Sequence, residues 1–161
     1  MLLIVYFDVF KADLIKRLKE NHIKFEIAKY DEIDLSKKHY DTIIITGSKK
    51  RILRQNYFPL LESLLSREKI NIIGICFGFQ YLAMKSGGKV IEDQLFKGFR
   101  KNLFFNHHDK VIALPKPWKV VDRLTDFINI GATDKWIGFQ FHPEKDPQIF
   151  AQYVLPFLGK S

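Results

Sequence analysis

Ile70-Asn71-Ile72-Ile73-Gly74-Ile75-Cys76-Phe77-Gly78-Phe79-Gln80 decides the fold. The run Ile70 to Ile75 has the length and β-branched content of a buried strand. It closes in Gly74-x-Cys76-x-Gly78, and a helix-like segment then runs to Ser86, where Gly87-Gly88 stops it. A strand, a sharp turn and a helix are the context in which such a sequence becomes a nucleophile elbow. The nucleophile is held on a strained turn above the sheet, and small residues on either side let two backbones pass close together. Cys76 is then placed at a helix N-terminus, where free N–H groups and the helix dipole favour a thiolate. A lone strand-end cysteine is more often a small core hydrophobe; the flanking glycines argue for the elbow.

The pattern around this stretch is that of an α/β protein. Leu2 to Phe7 reads as a buried strand, and Lys11 to Glu20 carries Leu14, Ile15 and Leu18 at helical spacing with lysines opposite. Ile23 to Ala28 alternates as a second strand, and Asp41 to Thr46 is another buried run broken by Gly47-Ser48. Tyr57 to Ser66 supplies a second helix before the elbow strand. This order predicts a doubly wound, mostly parallel, flavodoxin-like sheet with helices on both faces. Sites in such sheets lie beyond the carboxyl ends of strands, where both Gly47-Ser48 and Cys76 fall. The second half reads as short strands: one on each side of a polar turn in Phe104 to Ile112, then Trp118 to Asp122, Phe127 to Ile130 and Trp136 to Phe141. Asp146-Pro147 opens a closing helix, with Asp146 as its cap, and Pro156 is expected to kink or end it near Leu155. No repeat or linker divides the chain, so residues 1–161 are expected to form one domain.

Composition sets bounds on function. With 161 residues and a 47% hydrophobic share, the chain can bury a real core. A single cysteine excludes an intrachain disulfide framework and points to a reducing compartment. The apolar start, Met1 to Asp8, is too short to span a membrane and lacks a basic leader, so it reads as the first strand of a soluble, cytoplasmic protein. The formal charge is +8. Lysine outnumbers arginine, and Ile, Asn and Phe are frequent, so A/T-rich codon usage accounts for much of that charge. The nearest basic clusters are Lys49-Lys50-Arg51 with Arg54, and Lys97 to Lys101. Neither has the interleaved aromatics or module of a nucleic-acid binder; an acidic partner surface is the better expectation. No P-loop or Gly-rich phosphate loop is found, and no cofactor is expected.

Two further groupings carry chemistry. His142-Pro143-Glu144 follows a strand, and period-two geometry would put both side chains on one side of an extended segment. Cys76, His142 and Glu144 would then supply the nucleophile, the base and the residue that orients it in acyl transfer. Asn106-His107-His108-Asp109 invites a metal reading. Yet adjacent residues of an extended chain point to opposite faces, and no second Cys or His pair has ligand spacing. A polar turn lining a pocket, without metal, is the expectation.

Gly74 to Gln80 followed by Gly87-Gly88-Lys89-Val90 resembles the first signature of the class I (triad) glutamine amidotransferases. Gly138-Phe139-Gln140-Phe141-His142-Pro143-Glu144 resembles their second, in the expected order. Leu95 to Gly98 and Asn106 to Val111, with Leu114-Pro115, are similar to the glutaminase part of GMP synthetase. The resemblance implies that Cys76 attacks the side-chain amide of glutamine to form a γ-glutamyl thioester and release ammonia, with His142 as base and acid and Glu144 as its orienter. It implies an oxyanion hole from the backbone N–H groups of Phe77 and Ser48. It assigns substrate binding to Gln80, Gly47 and backbone groups around His108 and Asp109. A synthetase on a separate chain would use the ammonia. Four departures stand out: Ser48 occupies a position where the family has glycine, His108 stands where a glycine is common, Lys145-Asp146-Pro147 replaces the usual continuation, and the segment Val90 to Leu95 is short, which leaves the pocket more open or for a partner to close. A stand-alone hydrolase of γ-glutamyl amides or peptides and an idle binding module with the same fold are the alternatives.

Overall fold

A computed structural model describes residues 1–8, 11–36, 40–67 and 69–159. In chain order the strands are β1 (Leu2–Tyr6), β2 (Phe25–Lys29), β3 (Thr42–Ile45), β4 (Asn71–Ile75), β5 (Lys89–Ile91), β6 (Phe96–Arg100), β7 (Leu103–His107), β8 (Lys110–Ala113), β9 (Lys119–Arg123), β10 (Ile128–Ala132) and β11 (Trp136–Phe139). The helices are α1 (Ala12–Glu20), α2 (Pro59–Leu65), α3 (Phe77–Lys85), α4 (Pro147–Tyr153) and α5 (Leu155–Leu158), with a 3-10 turn at Pro143–Lys145.

The central sheet runs β2-β1-β3-β4-β11-β10-β9. Every pairing from β2 to β11 is parallel, and β10 and β9 add an antiparallel flank. Strand alternation sorts the isoleucines to two faces. Leu3, Val5, Ile43, Ile45 and Ile72 pack with Leu61 and Leu64 of α2 and with Phe77, Phe79 and Leu82 of α3. Leu2, Ile4, Ile44, Ile73 and Ile75 pack with Leu14 and Leu18 of α1 and with Phe150 and Val154 at the end of the chain. The sheet is therefore covered on both faces, as the apolar runs required. No described helix is long and apolar enough to cross a membrane.

The second half holds the short strands on either side of the 106–109 turn, in two separate pairs. The strands on either side of the 106–109 turn do not form a hairpin with each other: β7 pairs with β6, and β8 with β5. The β6–β7 hairpin turns through Lys101 and Asn102, at φ 49° and 62°. Two consecutive positive φ angles match the right-handed twist of the strands. Lys-Asn is a weak signal for that turn, which is why β6 went unread. At the C-terminus Asp146 caps α4, its side chain accepting from the N–H groups of Gln148 and Ile149 at 2.8 and 3.0 Å. The helix breaks at Val154, just before the Leu155-Pro156 step, as expected for proline.

Behind the elbow, α3 lies directly on the sheet. A Cβ on Gly78 would stand 2.2 Å from the Ile45 carbonyl oxygen, and one on Gly74 would stand 2.7 Å from the Gly78 carbonyl carbon. Neither neighbour is a side chain that can swing aside. Gly78→Ala is expected to destabilise the protein by about 3 kcal/mol, against about 1 kcal/mol for the lost cap in Asp146→Ala. Urea midpoints at constant slope would check this order, and a Gly78→Ala cost no larger than the cap's would refute the close approach.

Candidate active site

The site forms where the carboxyl ends of β3, β4 and β11 meet. Cys76 follows β4 directly and takes φ 52° and ψ −103°, a left-handed backbone that costs a residue with a Cβ about 1–3 kcal/mol. The turn is held by the Cys76 N–H donating to Phe139 O at 2.7 Å and by the Gln80 N–H donating to Cys76 O at 3.1 Å. Gly47, at the end of β3, closes on the same point. A Cβ there would stand 3.0 Å from His142 Cε1, a tight contact, and 3.6 Å from Cys76 Cβ, an ordinary one, so glycine leaves the His142 ring its room. Among the described residues, the Ser48 and Phe77 N–H groups have no hydrogen-bond acceptor; these are the two donors expected to line an oxyanion hole.

His142 and Glu144 meet by a route the sequence did not suggest. The segment is not extended: Pro143 starts a 3-10 turn, and that turn rather than strand alternation brings Glu144 back to the ring. Glu144 Oε1 lies 2.8 Å from His142 Nδ1, which leaves Nε2 for the Cys76 side. Helix α1 supports the turn from outside, with Arg17 Nε donating to Glu144 O at 3.2 Å and Lys145 Nζ donating to Asp13 at 2.6 Å. Burial alone would push the His142 imidazolium toward its neutral form. The Glu144 charge, with hydrogen bonds to Cys76 and Glu144, outweighs that and raises the pKa to about 10. Burial likewise favours a neutral Glu144, but the His142 charge holds the carboxyl below its ordinary value.

The remaining predicted residues converge on Asp109. Its carboxylate accepts from Arg51 Nη2 at 2.7 Å, Arg51 Nε at 3.2 Å and the Ile52 N–H at 3.1 Å. Its carbonyl accepts from Gln80 Nε2 at 2.6 Å and His107 Nδ1 at 3.1 Å. Gln80 is 3% exposed, which excludes an ordinary exposed helix position. Burial lowers the His107 pKa to about 4, so the ring is neutral among Phe96, Phe105 and Phe127. Gln80, His108 and Asp109 line one cavity of about 240 Å³ with Ser48 and Cys76. Arg51 corrects the expectation that Lys49-Lys50-Arg51 is a partner-facing basic loop. Its guanidinium is spent inside on Asp109 and Glu92, where a buried carboxylate needs a charge partner.

Ser48, the residue with a Cβ in place of glycine, does not take a positive φ. Its hydroxyl donates to Asp8 at 3.0 Å and accepts from the Lys50 N–H at 2.9 Å, and the Lys49 N–H also donates to Asp8. The loop is thus shaped by a side chain that glycine lacks. Sequence reasoning missed Gln140. It is fully buried, and its Nε2 donates to the Cys76 sulfur at 3.8 Å. Its place two residues before His142, pointing inward at a strand end, was the available signal.

Two expectations test this arrangement. The raised His142 pKa stabilises the fold fully below the unfolded value of 6.5, and this is lost as pH rises through about 10. The lowered Glu144 pKa stabilises above 4.5 and is lost on acidification. The stability advantage of wild type over Glu144→Gln should therefore be greatest between pH 4.5 and 6.5 and shrink toward pH 10; a flat difference across denaturation curves at these pH values would contradict the pair. Arg51→Ala should cost about 2 kcal/mol by stranding the Asp109 carboxylate, whereas Lys50→Ala should stay within about 0.5 kcal/mol. Equal midpoint shifts would remove Arg51 from that role.

The family model for glutamine amidotransferase class-I matches residues 2–157. The chain is 29% identical to the glutamine-hydrolyzing GMP synthase of Aquifex aeolicus, over 96% of this chain and 35% of that one. It is also 29% identical to a glutamine-hydrolyzing GMP synthase of Bacteroides thetaiotaomicron, over 89% and 34%. The chain thus spans about a third of the length of these curated relatives. Its fold is shared with a Thermoplasma acidophilum protein provisionally described as a GMP synthase subunit, with TM-score 0.78, 21% identity and coverage of 99% and 96%. A Thermotoga maritima glutamine amidotransferase shares it at TM-score 0.69, 18% identity and coverage of 99% and 83%. With its doubly wound sheet and a signature match across nearly its whole length, the chain belongs to the class-I glutamine amidotransferase family.

Proposed function

We propose that residues 1–161 act as one glutaminase domain that hydrolyses the side-chain amide of glutamine through a thioester on Cys76. The observation that carries this reading is the His142 ring, fixed on Glu144 at 2.8 Å with its other edge toward a cysteine on a strained turn. The raised pKa keeps that ring charged at neutral pH, so it can pair with a Cys76 thiolate. The thiolate attacks the γ-carbonyl carbon, and the developing oxyanion is taken up by the Ser48 and Phe77 N–H groups. Such donors are worth roughly 3–4 kcal/mol each in related acyl chemistry. As the C–N bond breaks, His142 gives its proton to the leaving ammonia. It then takes a proton from the water that cleaves the thioester, and glutamate is released. Gln80, Gly47 and the backbone around His108 and Asp109 would hold the α-amino and α-carboxylate groups of glutamine. The ammonia would pass to a synthetase outside these residues, a reading supported by the GMP synthases among the relatives.

The test is intact mass after incubation with an electrophilic glutamine analogue, alongside ammonia release. Wild type should gain a single adduct and Cys76→Ala none. Cys76→Ser should fold and lose turnover. Glu144→Ala should lose most turnover but retain a measurable residue, because Glu144 orients the base without transferring a proton itself. Ammonia release by Cys76→Ser, or full activity in Glu144→Ala, would refute the triad.

A further inference from the structure

Two cavities meet at Cys76, and they differ in size. The smaller, of about 240 Å³, contains Gln80, His108 and Asp109. The larger, of about 400 Å³, lies on the other side and contains His142, Glu144 and Phe104. Cys76, Ser48, Lys49 and Asn106 belong to both and mark the boundary. His142 lines only the larger cavity. Because His142 must protonate the departing amine, the leaving group of any acyl transfer at Cys76 lies on that side, and the γ-glutamyl half lies on the other.

Ammonia has about the bulk of a water molecule, whose share of liquid volume is about 30 Å³. A cavity of about 400 Å³ is far larger than that leaving group needs. Its lining is also strongly basic: Lys11, Lys49, Lys97 and Lys145 all contribute. Lys145 is paired with Asp13, which lines the same cavity, and Glu144 is paired with His142. Among the described residues the ammonium groups of Lys11, Lys49 and Lys97 form no ion pair, and Lys11 and Lys97 line only this cavity, which places positive charge on the leaving-group side of the sulfur.

We infer that the large cavity is a leaving-group site for anionic amines, so that the chain cleaves γ-glutamyl conjugates whose amine carries a carboxylate or another acid group. The inference rests on the triad reading above and extends its substrate class. The chemistry balances. The Cys76 thiolate bonds to the γ-carbonyl carbon, the C–N bond to the amine breaks, and the amine leaves with the His142 proton. Water then cleaves the thioester to give glutamate and restores the charged pair. Lys11, Lys49 and Lys97 take no part in bond making; they hold the acid group of the amine.

The experiment measures kcat/KM for glutamine, γ-glutamyl-ethylamide and γ-glutamyl-glutamate at low ionic strength. The anionic conjugate should exceed the ethylamide by about tenfold, with the ratio falling as salt is added. Lys97→Glu and, separately, Lys49→Glu should cut that ratio about tenfold. Turnover of glutamine or the ethylamide without a preference for the anionic conjugate overturns the inference and leaves the glutaminase reading standing. A preference unchanged in both charge reversals also overturns it. No turnover of any of the three overturns the hydrolase reading itself.

Discussion

The close backbone approach between Gly78 and the Ile45 carbonyl is the constraint on which the site depends. With any side chain at position 78, α3 would have to lift off β3. The loop after β3, where a Cβ on Gly47 would press on His142, would then shift relative to the site. The left-handed backbone of Cys76 follows from the same geometry, because the chain has to turn from strand into helix within one residue. A fully paired parallel sheet and an aromatic cluster of Phe7, Phe58 and Phe77 hold the turn from behind. The strain therefore sits in the part of the molecule best able to bear it.

Electrostatics divides the site as clearly as packing does. His142 and Glu144 are both buried, and each ionised form is sustained by the other. Asp109 and Arg51 form a second internal pair on the opposite side of the sulfur. Between them Cys76 stands at the boundary of two cavities that both carry lysines, Lys11, Lys49, Lys97 and Lys145 in one and Lys49 and Lys50 in the other.

Much of this was legible in the residues, for identifiable reasons. The parallel strands announced themselves because strands buried on both faces are nearly continuous runs of Ile, Leu and Val, and Gly74-x-Cys76-x-Gly78 marked the one place where such a run had to turn sharply. Asp146-Pro147 and Pro156 placed the limits of α4 through local backbone chemistry alone. What escaped was set by distant partners. β6 is a half-exposed strand with charged residues, and its hairpin turns on Lys101-Asn102 rather than a glycine. Arg51 looked like surface charge because nothing local reveals a carboxylate 58 residues away. The His142–Glu144 contact was anticipated, but from the wrong backbone: proline made a 3-10 turn where alternation suggested a strand.

The bond network around Asp109 also bears on how such a chain can diverge. One carboxylate ties the loop after β3, through Arg51 and the Ile52 N–H, to the turn between β7 and β8, while its own carbonyl holds Gln80 and His107. Loss of the Arg51 charge strands the buried Asp109 carboxylate, whereas loss of Asp109 still leaves Arg51 its pair with Glu92. Position 51 is therefore constrained for as long as Asp109 stays in place, and a neutral residue at 51 requires a change at 109 as well. Lys49 and Lys50, beside Arg51 in sequence, carry no such obligation, so the loop can alter what it presents to solvent while its inner anchor stays fixed.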